Sequence, residues 1–423
     1  MNDFFTLISS SEFRAQFAGF SPLPPITVPL PVASGRVLAE DIVCADPLPR
    51  WPRSTMDGFA VRAADTFGCS ESETALLSLA GEIAMGAPGS QLTLKPGQAA
   101  RIWTGGELPH KADAVVMIEY TQLFDAATVA VYRPVAPGEN VIKAGDDYAA
   151  GTTVLAKGHR LRPQDLGVLA GLGRTQVQVQ AQPKVAILST GDELVPVDQD
   201  PAPGQIRDIN STTLAALVEE AGGVPIPLGI CGDDFDRILA LCHDSLAQAD
   251  MLLLSGGSSV GQRDFTLRVF QAMIQTKVLV HGVAIRPGKP TILAHQANKP
   301  LFGLPGHVAS AMVVFYLFVR PMVRLLSGLL PDLGMQALIA ITTQPIPSAI
   351  GREEYVRVQL TMRQDSLTLA TPVYGKSGLL NPLVRADGLL VVGRDVEGLD
   401  QGAEATVLLF PGFEPTISMA TAI

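Results

Sequence analysis

Acidic and cationic side chains recur in this 423-residue chain at one kind of place, the polar turn that follows an apolar run. Val185 to Leu188 reads as a buried strand and opens into Ser189-Thr-Gly-Asp-Glu193. Ile226 to Ile230 opens into Gly232-Asp-Asp234, and Met251 to Leu254 into Ser255-Gly-Gly-Ser-Ser-Val-Gly261. Val278 to Ile285 opens into Arg286-Pro-Gly-Lys-Pro290, and Leu301 to Leu304 into Pro305-Gly-His307. In an open α/β sheet, ligands bind beyond the carboxyl ends of the strands, so all these turns are expected to rim one pocket holding both acids and cations.

Glu193, Asp233 and Asp264 fall at or just after strand ends, with Asp192 and Asp234 beside them. Two carboxylates about 4 Å apart repel by roughly 4 kcal/mol at an effective dielectric near 20, and a divalent cation removes that conflict. A few carboxylates shared with waters and substrate phosphates are what Mg²⁺ takes. Each acid alone is better explained as a helix N-cap or first-turn charge, whereas the set points to function. Gly256, Gly257 and Ser258 between a strand and a helix read as a phosphate cradle or as a plain turn. Arg286 and Lys289 are anion anchors. Gly288-Lys-Pro-Thr291 is not a P-loop, because Pro290 replaces the required Ser or Thr and a strand follows. Neither an H-x-x-x-H pair nor a G-x-S-x-G elbow is present.

The elements that must position these turns lie between Pro183 and Gly328. There strands alternate with amphipathic helices at Thr212 to Ala221, Phe235 to Ala249 and Phe265 to Ile274, closed by a long apolar helix from Val308 to Leu326. This alternation predicts a doubly wound, mostly parallel α/β domain. Before it, the pattern predicts a short helix at Ser11 to Phe17, another at Val32 to Ala39, and β-type runs broken by Gly and Pro from Pro47 to Pro137. Pro163 opens a helix ending before Gly171. After Gly328, five short β-type runs predict a small barrel or sandwich.

The composition is 47% hydrophobic with a net charge of −10, so the chain can bury several cores and offers no field for nucleic acid or anionic lipid. Cys44, Cys69, Cys231 and Cys242 lack C-x-x-C spacing, which fits a reducing, cytoplasmic setting. The N-terminus does not read as a signal peptide, and the apolar stretch Val308 to Val319 falls short of the ~20 residues that span a bilayer. No membrane partner is expected.

Ser54-Thr-Met-Asp-Gly-Phe-Ala60, Arg101-Ile-Trp-Thr-Gly105 and Ala112-Asp-Ala-Val-Val-Met117 have little generic structural reason. Together with the turns at 189–193, 255–261 and 286–290, they make the chain resemble the molybdopterin molybdenumtransferase family, to which the gephyrin E domain also belongs. The likeness covers nearly the whole length. It implies four parts: residues 1–46 with 141–178 as an elongated segment, 47–140 as an inserted β-rich domain, 179–328 as the molybdopterin-binding α/β domain, and 329–423 as a C-terminal β-barrel.

The resemblance also implies a homodimer whose cleft joins the α/β domain of one copy to the inserted domain of the other. The implied reaction inserts molybdate into adenylylated molybdopterin with release of AMP, dependent on Mg²⁺ or Zn²⁺, and allows transient contact with the molybdopterin-adenylylating enzyme. By motif position, Asp57, Thr104, Asp147, Glu193 and Asp233 are implied as active-site groups, and Glu193, Asp233 and Asp264 as the metal shell. Arg286 and Lys289 would hold phosphate or molybdate, Gly256, Gly257 and Ser258 the pterin phosphate, Pro305 and Gly306 would shape the oxyanion loop, and Arg352 would stand near the same cleft.

Three positions depart from the family pattern. Gly282 stands where many members carry Lys, and Leu304-Pro-Gly-His-Val308 replaces L-P-G-N-P. His307 either supplies a switchable charge or packs. A molybdopterin-binding scaffold without turnover is the competing reading. A nucleotide-sugar or phosphate hydrolase would leave the motifs of the inserted domain unexplained.

Overall fold

Side chains along a strand alternate between two faces, and where both faces are covered both sets must be apolar. Val185 to Leu188 meets that demand: Val185 and Ile187 enter one core, Ala186 and Leu188 another, and none of the four touches solvent. The computed structural model describes residues 7–256, 265–363 and 367–413. Its contacts divide the chain into two units, one of Met1–Thr27, Gly35–Ala39 and Gln178–Ile423, the other of Val28–Ser34 and Glu40–Val177.

The smaller unit is built on a six-stranded sheet of β1 (Gly58–Val61), β2 (Ala75–Ile83), β3 (Gln98–Ile102), β4 (Ala114–Met117), β5 (Thr121–Asp125) and β6 (Thr128–Val131), in the order β4-β1-β3-β2-β6-β5. Phe59, Val61, Leu77, Val116, Val129 and Val131 fill one face. A two-residue ladder joins Arg53–Ser54 to Val141–Ile142. Pro163–Gly171 is helical as its opening proline predicts, and buried Asp165 holds the helix start by accepting from the Arg162 N–H at 2.8 Å. The expected helix at Val32 to Ala39 does not form. Leu30–Val32 makes one 3₁₀ turn, and Gly35 takes a left-handed φ of 74°, which a helix interior does not accommodate.

In the larger unit, β7 (Lys184–Thr190), β8 (Val224–Cys231), β9 (Met251–Ser255), β10 (Thr276–His281), β11 (Ile292–Gln296) and β12 (Lys299–Leu304) lie in the order β8-β7-β9-β12-β11-β10. The first four in that order are parallel and the rest pair antiparallel. Helices cover both faces. Asn210–Glu220 and the continuous helix Val308–Leu326 pack on the core with Val185 and Ile187, and Phe235–Ser245 and Phe265–Ala272 on the core with Ala186 and Leu188. This is the doubly wound arrangement expected. The helix Val308–Leu326 is long and apolar enough to cross a membrane, yet it lies buried in the centre of this unit.

The strand expected from Val278 to Ile285 divides. After His281 the chain leaves the sheet, and Ile285–Arg286 pairs in parallel with Glu353–Glu354. Those two residues open β14 of the C-terminal sheet, which comprises β13 (Ala337–Thr342), β14 (Glu353–Met362), β15 (Thr368–Pro372), β16 (Gly388–Val392) and β17 (Glu404–Leu409). Strand β14 pairs with β15, β15 with β13, β13 with β17, β17 with β16, and β16 returns to β14, so the sheet closes into a barrel and loses its edges.

The helix Ser10–Ala15, opened by a Ser9–Glu12 capping box, presses Phe13 into the α/β core. Its ring centroid lies 4.1 Å from that of Phe318 and 6.2 Å from that of Phe302. Phe13→Ala should therefore destabilise the larger unit by about 3–5 kcal/mol, seen as a lower denaturant midpoint. An unchanged midpoint would mean that the N-terminal helix is not part of that core.

Candidate active site

Parallel strands deliver their following turns to one edge of the sheet. At that edge the turns after β7, β8, β9 and β12 line a cavity of about 520 Å³, with Glu193, Asp233, Gly256, Pro305 and Gly306 in its wall. Closeness is possible because Gly256 has no side chain. Its φ is 105°, and a Cβ there would overlap the carbonyl oxygen of Thr190. Its N–H donates to the Leu304 carbonyl at 3.3 Å, so Gly256 contributes space and holds β9 to β12 rather than offering a free donor to an anion. Gly257, Ser258 and Asp264 lie outside the described residues.

The acids at these turns divide by task. Asp192 accepts the Asp233 N–H at 2.9 Å, and Asp234 caps Phe235–Ser245 by accepting the Arg237 N–H at 3.0 Å. Those two carboxylates serve the backbone. Glu193, exposed, and Asp233, half-buried, line the cavity. Among the described residues no group of three or more His, Cys, Asp or Glu forms a metal cage.

Arg286, Lys289 and Arg352 come together, but not in the acidic cavity. They line a neighbouring cleft of about 400 Å³, and Pro290 belongs to the walls of both. The single rim expected from the sequence is thus corrected to two adjoining sites, one with Glu193, Asp233 and Arg207 in its wall and one with Arg286, Lys289 and Arg352. The reason is the departure of the chain after His281, because pairing Ile285–Arg286 with the barrel turns the cations toward Gly351 and Arg352. Arg286 Nη1 stands 3.1 Å from a carboxylate oxygen of Glu354.

In the smaller unit, Asp57 and Thr104 are neighbours by register. Gly58 faces Ile102 across β1 and β3, which sets the residues just beyond them side by side. One oxygen of Asp57 accepts both the Thr104 N–H and its hydroxyl, each at 2.8 Å. These bonds, the backbone one first, hold the Asp57 carboxyl below the usual carboxylate range. Asp147 lies on a separate exposed turn, where its N–H donates to the Leu48 carbonyl at 3.0 Å.

Several cavity residues escaped the sequence reading. The Asn210 amide donates to Ser255 Oγ at 2.6 Å and to the Gly306 carbonyl at 2.8 Å, clamping the turns after β9 and β12. Buried Asp208 accepts from Ser189 Oγ at 3.0 Å and from the Ser211 N–H at 3.1 Å, which ties β7 to the start of Asn210–Glu220. An Asp-x-Asn-Ser string just ahead of an amphipathic helix was the available signal. His307 supplies the N-cap position without a side-chain cap, and its ring bonds Ser377 of the barrel at 2.9 Å.

Two outcomes follow from these contacts. Gly256→Ala should lower both stability and ligand uptake, because the turn after β9 has to move away from Thr190; a variant with wild-type melting and binding would show the close approach to be dispensable. Thr104→Val keeps the backbone donor and removes the hydroxyl. Because Asp57 is depressed, its ionised form persists as pH falls, and the variant should protonate at a higher pH, read by NMR titration of the Asp57 carboxyl carbon. No upward movement would mean that the hydroxyl does not act on Asp57.

Comparison with known proteins places these features in order along the chain. Residues 8–173 match the MoeA N-terminal region (domain I and II), 186–325 a probable molybdopterin binding domain, and 340–410 the MoeA C-terminal region (domain IV). The chain is 36% identical over 379 residues to the molybdopterin molybdenumtransferase of Bacillus subtilis, covering 88% of this chain and 87% of that one. It is 35% identical over 388 residues to molybdopterin molybdenumtransferase 2 of Mycobacterium tuberculosis, covering 90% and 94%. A crystal structure of the molybdopterin biosynthesis MoeA protein from Pyrococcus horikosii superposes with a TM-score of 0.83 at 34% identity, covering 96% of this chain and all of that one. Three matching regions in sequence order and identity sustained across the α/β unit and the barrel have one explanation: the chain belongs to the molybdopterin molybdenumtransferase family.

Proposed function

We infer that the protein is a transferase that inserts molybdate into adenylylated molybdopterin, releasing AMP and completing the molybdenum cofactor. Family membership supports this reading, and the observation that carries it is the strand-end cavity of about 520 Å³ with Glu193 and Asp233 in its wall. Cavities of this size and position suit a small anionic ligand of pterin dimensions.

Glu193 and Asp233 line the cavity, whereas Asp192 and Asp234 bond the backbone. Two carboxylates completed by water and substrate phosphate suit Mg²⁺, and this oxygen set is a poorer match to Zn²⁺. When bound, the cation neutralises charge on the pyrophosphate. We assign Asp264 to the same shell. Gly256, with Gly257 and Ser258, lets the substrate phosphate approach the turn after β9, and Pro305 with Gly306 shapes the opposite wall. Arg286, Lys289 and Arg352 hold the oxyanion in the adjoining cleft, so the two reactants are oriented from different sides.

Asp57, Thr104 and Asp147 act, in our proposal, in a homodimer in which a second copy completes the site. The four-part division into 1–46 with 141–178, 47–140, 179–328 and 329–423 belongs to the same proposal, as do a cytoplasmic location and transient docking of the adenylylating enzyme.

The decisive assay supplies purified chain with adenylylated molybdopterin, molybdate and Mg²⁺, and follows AMP and metallated cofactor. Both products are expected; tight binding with no AMP would favour a scaffold. Asp57→Ala should leave a folded protein and slow insertion at least about tenfold, a barrier change of ~1.4 kcal/mol. Mixing Asp57→Ala with Glu193→Gln should restore activity that neither has alone, because a mixed dimer keeps one intact composite site. Absence of complementation would confine the site to a single copy.

A further inference from the structure

We infer that Glu354 is a positioning residue for oxyanion capture, acting through Arg286; this rests on the reading of Arg286 as an anion anchor given above. Glu354 is 9% exposed, whereas the Arg286 side chain is 57% exposed at the lip of the cationic cleft. Arg286 Nη1 lies 3.1 Å from one oxygen of Glu354 and 3.5 Å from the other, and Ser348 Oγ donates to the second at 3.0 Å. The carboxylate is thus held by the barrel and holds the arginine in turn.

The backbone reinforces that contact. Ile285–Arg286 runs parallel to Glu353–Glu354, so the residue bearing the cation and the residue bearing its counter-charge sit at paired positions. On the other side, the Ala284 N–H donates to the Ile8 carbonyl at 2.8 Å. Glu353 accepts from Ser10 Oγ at 2.8 Å and from the Tyr355 hydroxyl at 2.6 Å. Consecutive glutamates of one barrel strand therefore serve different neighbours, Glu353 the N-terminal helix and Glu354 the cation loop.

An exposed arginine carries rotamer freedom that anion binding would have to remove. Fixing Nη1 on a buried carboxylate leaves the other guanidinium N–H groups as a pre-set fork for a tetrahedral oxyanion, which is the geometry arginine serves better than lysine. The same carboxylate withdraws part of the positive charge. The two effects oppose each other, and the burial of Glu354 with its second bond from Ser348 decides for orientation over charge.

The test measures molybdate binding to the full chain by calorimetry, together with KM for molybdate and kcat. Glu354→Gln removes the charge, and Glu354→Asp keeps it but draws it back by one methylene. Both should weaken molybdate binding at least about fivefold and raise KM in step, with kcat at saturation within about twofold. In an Arg286→Ala background, Glu354→Gln should add nothing. Tighter binding in Glu354→Gln, no effect of Glu354→Asp, or the same loss without Arg286 would overturn the inference. Wild-type chain that neither takes molybdate nor releases AMP would instead remove the functional reading, so the two failures are distinguishable.

Discussion

The architecture depends on how closely backbone can approach backbone at the carboxyl edge of the parallel strands. Gly256 passes against the Thr190 carbonyl where no side chain fits, its N–H is taken by Leu304, and the Asn210 amide spans Ser255 and Gly306. The hydrogen bonds among these contacts tie the strand-end turns to one another. Because the strand ends are clamped to one another, Glu193 and Asp233 stand on a braced frame.

Opposite charges placed within a few ångströms pair and cancel. After His281 the chain leaves the α/β sheet, which carries Arg286 and Lys289 to a cleft shared with Arg352, where Arg286 meets Glu354, while Glu193 and Asp233 stay in the strand-end cavity. Pro290 stands in both walls. The barrel is thereby more than a terminal appendage, since its strand β14 receives the cation loop and its Ser377 bonds His307 beside the acidic cavity.

Much of the fold could be read from residue patterns. The alternation of Val185 and Ile187 with Ala186 and Leu188 announces a strand covered on both faces, and Pro163 marks a helix start that the structure keeps. Barrel strands were visible as short runs between turns, but closure was not, because β14 to β16 pairing joins residues distant in sequence. The expected helix at Val32 to Ala39 failed on a local matter, the left-handed Gly35. In the site, Asp57 and Thr104 could be singled out from their strings, yet their shared hydrogen bonds depend on the register of β1 and β3.

Sequence alone determined which residues bear charge and, apart from the run that divides after His281, which apolar runs of the α/β unit become strands and which turns follow them, because these depend on side-chain chemistry and on local periodicity. Tertiary structure alone decided how the turns are grouped. It separated Arg286, Lys289 and Arg352 from Glu193 and Asp233, bound Asp192 and Asp234 to backbone, and brought in Asp208 and Asn210 as the ties between strand ends. Grouping follows from strand pairing and from where the chain leaves a sheet, and those are set by the packing of whole layers, which no short stretch of residues encodes.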